Sequence, residues 1–318
     1  MAVTAPRTIP LVDLSTFTKG DEAQRKAFVE QLGSAFHNIG FVGVTGHGIP
    51  KDLIDDFYVA AKQFFALPVE VKRKYEVAGA AGQRGYTSFG KEHAKQSQVA
   101  DLKEFFQIGQ ELADKSDSAF EANPQVSEVP EFMKLGTQLY RAFEASGASL
   151  LRAIALYLGL EEGYFDQYIN DGMSILRAIH YPPITQEPAS AIRAEQHEDI
   201  NLITLLVGAS AGGLQLQNTA GEWQEIVPEN DEIVINVGDM LQRHTNNYLK
   251  STTHRVVNPP REQWHEPRLS IPFFLHPRPE MKLDVLPSTV TADRPQAYEP
   301  ITAGEYLDER LREIGLKK

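Results

Sequence analysis

The side chains best suited to chemistry sit in the segment Glu195-Gln196-His197-Glu198-Asp199, where an imidazole and a carboxylate stand two positions apart. In a strand, that spacing turns both side chains to one face and makes them a chelating pair. A third donor is available in His254, which opens the strand-like run HRVV 55 residues beyond Asp199 (254 − 199). Two imidazoles and one carboxylate on one side of a cation leave its other positions exchangeable, a set that suits iron(II) and reactions of O₂. A bare His-x-Asp pair is common and usually serves surface or hydrogen-bonding chemistry, so it needs a companion feature. The downstream run RLSIPFF supplies one. Arg268 and Ser270 again share a strand face, and a guanidinium fork beside a hydroxyl can hold a carboxylate. The chain has no cysteine, so any metal must be held by nitrogen and oxygen, and disulfides, thiolate nucleophiles and iron–sulfur clusters are excluded.

The elements that must position these groups are short strands. From Ser174 onward the runs ILRAIHY, LITLLV, GLQLQ, WQEIV, EIVINV, HRVV and RLSIPFFL follow one another, separated by turn signals such as Thr219-Ala220-Gly221 and Gly238-Asp239. Strands without long helices between them predict an antiparallel barrel or a double-sheet jelly roll. One helical turn interrupts them, with Asp239 placed to cap MLQRH. The first half instead alternates strand-like pieces with amphipathic helices. A helix from about Asp21 carries Phe28, Leu32, Ala35 and Phe36 on one face, a second runs from Lys51 to Ala66, and a long third from Pro130 to Leu158. Such apolar faces need a sheet to cover. The glycine-rich segment 79–95 reads as a loop or irregular hairpin, and Tyr306 to Lys318 as an amphipathic terminal helix.

Composition narrows the function further. The 318 residues are 42% hydrophobic and 23% charged, which is ordinary for a globular chain able to bury one large core. A net charge of −12 repels a phosphate backbone, so nucleic acid is not an expected partner. The start, Met1 to Pro10, lacks the apolar run of a signal peptide, and the most apolar internal stretch, Ser149 to Leu160, is interrupted by Arg152. The expectation is a cytoplasmic protein without a membrane span that acts on a small molecule.

The ordered set IPLVDLS, GFVGVTGHGIP, HYPP, HEDINLITLL, GGLQLQ, INVGDMLQRHTNNYLKSTTHRVVNPP and RLSIPFF resembles the isopenicillin N synthase-like family of 2-oxoglutarate- and iron(II)-dependent oxygenases over nearly the whole chain. That resemblance implies a mainly β fold with flanking helices around a double-stranded β-helix (jelly roll) core. It implies a single domain over 1–318: a helix-rich part with the first strands (1–173), the core with the metal site (174–280) and a C-terminal extension (281–318). It also implies iron(II) on His197, Asp199 and His254, with 2-oxoglutarate and O₂ as co-substrates. The far carboxylate of 2-oxoglutarate would sit on Arg268 and Ser270, with Tyr181 also in reach. Packing is the default role of the terminal helix, and a lid over the site opening is a lesser one. Where many members carry glycine two residues after the ligand aspartate, this chain has Ile200-Asn201-Leu202, which predicts a bulkier and more polar mouth.

Substrate contacts are less marked. Arg177 shares the strand face of Tyr181 and could clamp an anionic substrate, or could snorkel at a strand end. Arg84, Tyr86 and Phe89 of the glycine-rich segment could line the entrance, or could simply be exposed. His180 should face away from the interior, His244 reads as structural or solvent-facing, and His37, His47, His93, His265 and His276 read as packing or surface residues. The same motifs also admit an iron oxidase of this family that does without 2-oxoglutarate, a non-catalytic binding protein on the same barrel, and, less readily, a zinc hydrolase.

Overall fold

The β-rich half divides between two sheets. In the computed structural model, which describes residues 7–92, 100–112, 122–208, 210–229, 231–314 and 316–317, the strands run β1 (Leu11–Asp13), β2 (Phe41–Thr45), β3 (Gly85–Thr87), β4 (Glu104–Gly109), β5 (Ile175–Tyr181), β6 (Ala194–His197), β7 (Ile203–Val207), β8 (Leu214–Gln217), β9 (Trp223–Glu225), β10 (Ile233–Val237), β11 (His254–Val256) and β12 (Arg268–Leu275). The large sheet has the order β1-β2-β10-β7-β12-β5-β4-β3 and the small one β6-β11-β8-β9. Every neighbouring pair is antiparallel except β1–β2. The N-terminal part thus supplies four of the eight strands of the large sheet, β1 to β4. Of these, β3 and β4 carry no strong alternation in sequence. The segment expected as a loop or irregular hairpin contributes β3, which pairs with β4.

Helices follow as α1 (Leu14–Thr18), α2 (Glu22–Asn38), α3 (Lys51–Phe65), α4 (Val69–Lys72), α5 (Pro130–Tyr157), α6 (Asp166–Ile169), α7 (Asp239–His244) and α8 (Ala303–Glu313). The long helix α5 covers the outer face of the large sheet. Strand alternation sends Leu269, Ile271, Phe273 and Leu275 of β12 into the main core, where Tyr140 and Phe143 of α5 meet Phe273 with ring centroids 5.0 and 5.4 Å away. Two glycines let helix and sheet approach so closely. A Cβ at Gly136 would come within 2.2 Å of Ile108, and one at Gly147 within 2.3 Å of Leu275. Among the described residues, no helix is long and apolar enough to cross a membrane.

The inner face of β12 carries Arg268, Ser270, Pro272 and Phe274, and His276 continues the alternation just beyond the strand. Pro272 has no N–H to give, and it falls where the β5–β12 ladder is interrupted between Ser270 and Phe273. A smaller apolar cluster joins the two sheets, with Phe41, Phe105, Ile179 and Tyr181 from the large one against Ala194, Leu214, Leu216 and Val256 from the small one. One local expectation is corrected. Asp239 is the first residue of α7 rather than its cap, Gly238 takes the cap position without a side-chain bond, and the Asp239 carboxylate meets the Tyr306 hydroxyl at 3.4 Å instead.

Candidate metal centre and the cavity around it

His197 ends β6 and His254 opens β11, and the two stand directly opposite each other in the antiparallel register. Their rings are 4.4 Å apart, and each Nε2 lies 3.8 Å from Asp199 Oδ1. Asp199 comes two residues after the strand end rather than inside it, yet its side chain keeps to the same side. One donor atom from each of the three lies within 4.8 Å of the others. The backbone sets the imidazole tautomers. His197 Nδ1 is 2.7 Å from the carbonyl of Glu195, and His254 Nδ1 is 3.1 Å from that of Thr252. A carbonyl can only accept, so both Nδ1 atoms carry the proton and both Nε2 lone pairs point at the shared centre.

The carboxylate is anchored from the other sheet. Asp199 Oδ2 accepts from Thr204 Oγ1 at 2.6 Å and from Asn236 Nδ2 at 2.8 Å, and these two residues are cross-strand partners on β7 and β10. Oδ1 is thereby left for the centre. Burial opposes ionisation of Asp199, but His254, His197 and these two hydrogen bonds outweigh it and hold its carboxyl below the usual range. Burial together with His254 keeps His197 below the usual imidazole value, hence neutral with a free lone pair. Two imidazoles with Nε2 turned to one centre and one carboxylate beside them fit a divalent, borderline-hard cation such as iron(II).

The triad opens into a cavity of about 780 Å³ that is lined from both sheets and from α8. At one end stand Arg268 and Ser270, with Tyr181 paired to Arg268 across the β5–β12 register. Arg268 is only 2% exposed. Its Nε donates to the Ala211 carbonyl at 3.0 Å, its guanidinium carbon sits 5.0 Å from the Tyr181 ring centre, and its buried Nη1 has no partner. A buried, charged donor left without an acceptor is costly, and a carboxylate is the acceptor that would satisfy it.

At the other end Arg177 is packed between Phe105 and Phe274, at 4.2 and 5.0 Å from their ring centres. Its Nε donates to Gln107 at 3.0 Å and its Nη1 to Glu92 at 3.3 Å. Glu92 also pairs with Lys103 at 2.6 Å, and Lys103 with Asp101 at 2.7 Å. Burial would raise the carboxyl of Glu92, but Arg177 and Lys103 overcome it and hold it down at about 2. Burial would lower the ammonium of Lys103, but Glu92 and Asp101 push it up. His276, buried in the same wall, is pushed down to about 4 by desolvation and is therefore neutral. This end thus carries two cations and two anions.

The remaining expected contacts fall elsewhere. Tyr86 turns its hydroxyl to Glu104, on the outer face of the sheet, and Arg84 packs over Gly109 with its Nη1 on the Gln83 carbonyl at 2.8 Å. Phe89 is 49% exposed. None of the three lines the cavity: Tyr86 of the short β3 points to the outer face, and Arg84 and Phe89 lie on either side of that strand. His180 faces away as parity requires, bonded to Glu104 at 2.8 Å, and His244 is structural, held between Tyr164 and the Asp284 carbonyl. His93 lies outside the described residues. The polar mouth expected from Asn201 is corrected as well. That side chain is fully buried and bonds Ile203 O at 2.7 Å, and only Ile200 reaches the cavity. The terminal helix, expected to pack by default and to lie over the site opening as a lesser role, contributes Leu307, Arg310 and Leu311 to the cavity wall, with Ile314 just beyond its end.

A fold that brings two imidazoles and a carboxylate to one cavity with a buried, unpaired arginine defines a metal-dependent enzyme with an anionic co-substrate. Residues 172–277 match the model of the 2OG-Fe(II) oxygenase superfamily, and residues 9–132 match that described as non-haem dioxygenase in morphine synthesis, N-terminal. The proline hydroxylase buaE of Petromyces alliaceus is 32% identical, with 94% of this chain and 97% of that protein covered. The structure of a 2OG-Fe(II) oxygenase family protein from Caulobacter crescentus superposes with a TM-score of 0.87 at 41% identity, covering 97% of this chain and 100% of that one. A full-length Neurospora crassa protein, solved in complex with α-ketoglutarate (2-oxoglutarate) and thymine, gives 0.85 at 31% identity over 96% of each chain. The chain belongs to the 2-oxoglutarate- and iron(II)-dependent oxygenases. It is an oxidoreductase that uses iron(II), 2-oxoglutarate and O₂ to oxidise a small organic substrate.

Proposed function

We propose that this oxygenase hydroxylates a small, uncharged polar molecule held at the Arg177 end of the cavity, with iron(II) on His197, Asp199 and His254 and the far carboxylate of 2-oxoglutarate on Arg268, Ser270 and Tyr181. The two strand sets around the cavity form a double-stranded β-helix, or jelly roll, and the whole chain works as one oxygenase domain. A cytoplasmic setting suits an iron(II) enzyme without a single cysteine to oxidise. The observation that carries the co-substrate roles is the buried, partnerless Nη1 of Arg268 inside the cavity of the triad.

When bound, the metal with 2-oxoglutarate and O₂ supplies the oxidising power, succinate and CO₂ being the co-products. The chain's own residues do the rest. His197 and His254 present Nε2 lone pairs fixed by backbone acceptors, and Asp199 presents Oδ1 because Thr204 and Asn236 occupy Oδ2. Arg268 and the Ser270 hydroxyl orient a carboxylate, and α8 closes one wall against water. The relatives differ in what their names say they act on or bind, proline in one and thymine in another, so the substrate must be argued from this cavity.

An anionic substrate is disfavoured by the balance around Arg177. Its charge is already met by Glu92, and Lys103 and Asp101 close the network. A neutral molecule with hydrogen-bonding edges can use Arg177 and Gln107 without disturbing that balance. The test is a screen for substrate-stimulated succinate formation across neutral polar compounds and small carboxylates. Stimulation by neutral compounds is the expected result, and stimulation confined to carboxylates would overturn the substrate class.

A further inference from the structure

Arg193, immediately before β6, is the least expected cation in the molecule. It is 2% exposed. Its Nη2 donates to the backbone carbonyl of Glu266 at 3.1 Å, and its Nε is buried without a partner. Its guanidinium carbon lies 5.9 Å from the ring centre of Tyr181, the same ring that Arg268 approaches to 5.0 Å. Two buried guanidinium groups therefore share one aromatic ring, each has an orphaned N–H, and among the described residues neither has a carboxylate within ion-pair distance. Desolvation and Arg268 push Arg193 down to about 10, which still leaves it charged at neutral pH. Two like charges buried without a counter-ion are unfavourable unless an anion arrives to balance them.

We infer that Arg193, which stands beside Tyr181 without lining the cavity itself, is a second cation behind the pocket for the distal carboxylate of 2-oxoglutarate, a positioning residue that acts through the ring of Tyr181 and through its charge. The inference rests on the assignment of that carboxylate to Arg268. Arg268 satisfies the direct contact with Nη1. Arg193 fixes the plane of Tyr181 and adds positive potential that only an anion at this end can use. It should thus favour 2-oxoglutarate over a 2-oxo acid of the same head group that lacks the second carboxylate.

The experiment is a binding comparison under argon on the Mn(II)-loaded full-length protein, titrating 2-oxoglutarate and 2-oxobutanoate by calorimetry. Arg193→Met is expected to weaken 2-oxoglutarate on the order of tenfold, the scale of a unit charge removed from a partly screened interior, and to leave 2-oxobutanoate unchanged. Arg193→Lys, which keeps the charge, should retain most of the preference. Equal weakening of both acids, or equal loss in the Met and Lys variants, would mark a role in shape alone and overturn the inference, as would no change. Should Arg193→Met fold poorly, Arg193→Gln and the melting temperature with and without 2-oxoglutarate read the same effect. The ligand-induced rise must then shrink while the ligand-free melting point holds. Arg268→Leu run in parallel separates the two ideas. If Arg268→Leu spares the preference, the co-substrate assignment falls; if it abolishes the preference while Arg193→Met spares it, this inference alone falls.

Discussion

The two ends of the cavity each present an arginine from the same pair of strands, Arg268 buried and Arg177 partly so, and the two are prepared for opposite partners. Arg268 has a carbonyl on Nε and nothing on Nη1, with a second unpaired guanidinium beyond Tyr181. Arg177 is held between two phenyl rings and met by Glu92, whose other partner Lys103 is met by Asp101. An arginine in a pocket is therefore not in itself an anion site. Its companions decide, because an uncompensated buried charge demands an anion while a compensated one offers only its remaining donors.

The comparison can be broken first at Arg268. Arg268→Leu should raise the KM for 2-oxoglutarate at least about thirtyfold, since truncating one partner of a buried charged contact costs about 2–5 kcal/mol. The same change should not lower the melting temperature of the ligand-free protein, because it removes a charge that lacks a counter-ion there. A fall in stability without a change in KM would reverse the reading of this end.

The compensated end should reveal itself in acid. Glu92 has its folded-state value depressed from 4.5 to about 2, so it contributes stability above about pH 4.5 that is lost as pH falls towards 2. That difference corresponds to about 3 kcal/mol. Urea unfolding across this window should show the decline in the wild type and a flatter profile, lower at neutral pH, in Glu92→Gln. Equal slopes would remove the network from the account.

Between the two ends, Thr204→Val should weaken iron(II) about 10- to 100-fold, as the loss of a hydrogen bond to a ligating carboxylate typically does, while retaining the preference for 2-oxoglutarate over 2-oxobutanoate. Competition with a metal chelator measures the first quantity and calorimetry the second. The smallest effect is expected at Arg177. Its loss leaves Glu92 still paired to Lys103, so Arg177→Leu should cost about 1–2 kcal/mol of stability and leave 2-oxoglutarate binding unaltered.

Much of the uncompensated end was legible in the sequence, because strand parity places Arg268 and Ser270 on one face and the family resemblance implies Tyr181 within reach; that Tyr181 stands opposite Arg268 comes only from the register. The His-x-Asp spacing was legible for the same reason, although the strand stops at His197. The compensated end was not. Glu92, Asp101 and Lys103 come from a stretch without periodicity, and Gln107 meets Arg177 only through the β4–β5 register, which no local pattern encodes. The glycine-rich segment 79–95 suggested a loop with substrate contacts, but β3 gives Tyr86 to Glu104 behind the sheet. Arg193 carried no signal at all, being one residue ahead of a strand and joined to Tyr181 by an irregular segment without periodicity.

The most direct test is an anaerobic titration of the iron(II) protein with 2-oxoglutarate, followed by the metal-to-ligand charge-transfer band of the chelate. The account predicts that the band develops in the wild type and at the same concentration in Arg177→Leu, and that Arg268→Leu needs at least about thirtyfold more 2-oxoglutarate. Absence of the band in the wild type, or equal weakening by the two arginine variants, would contradict it.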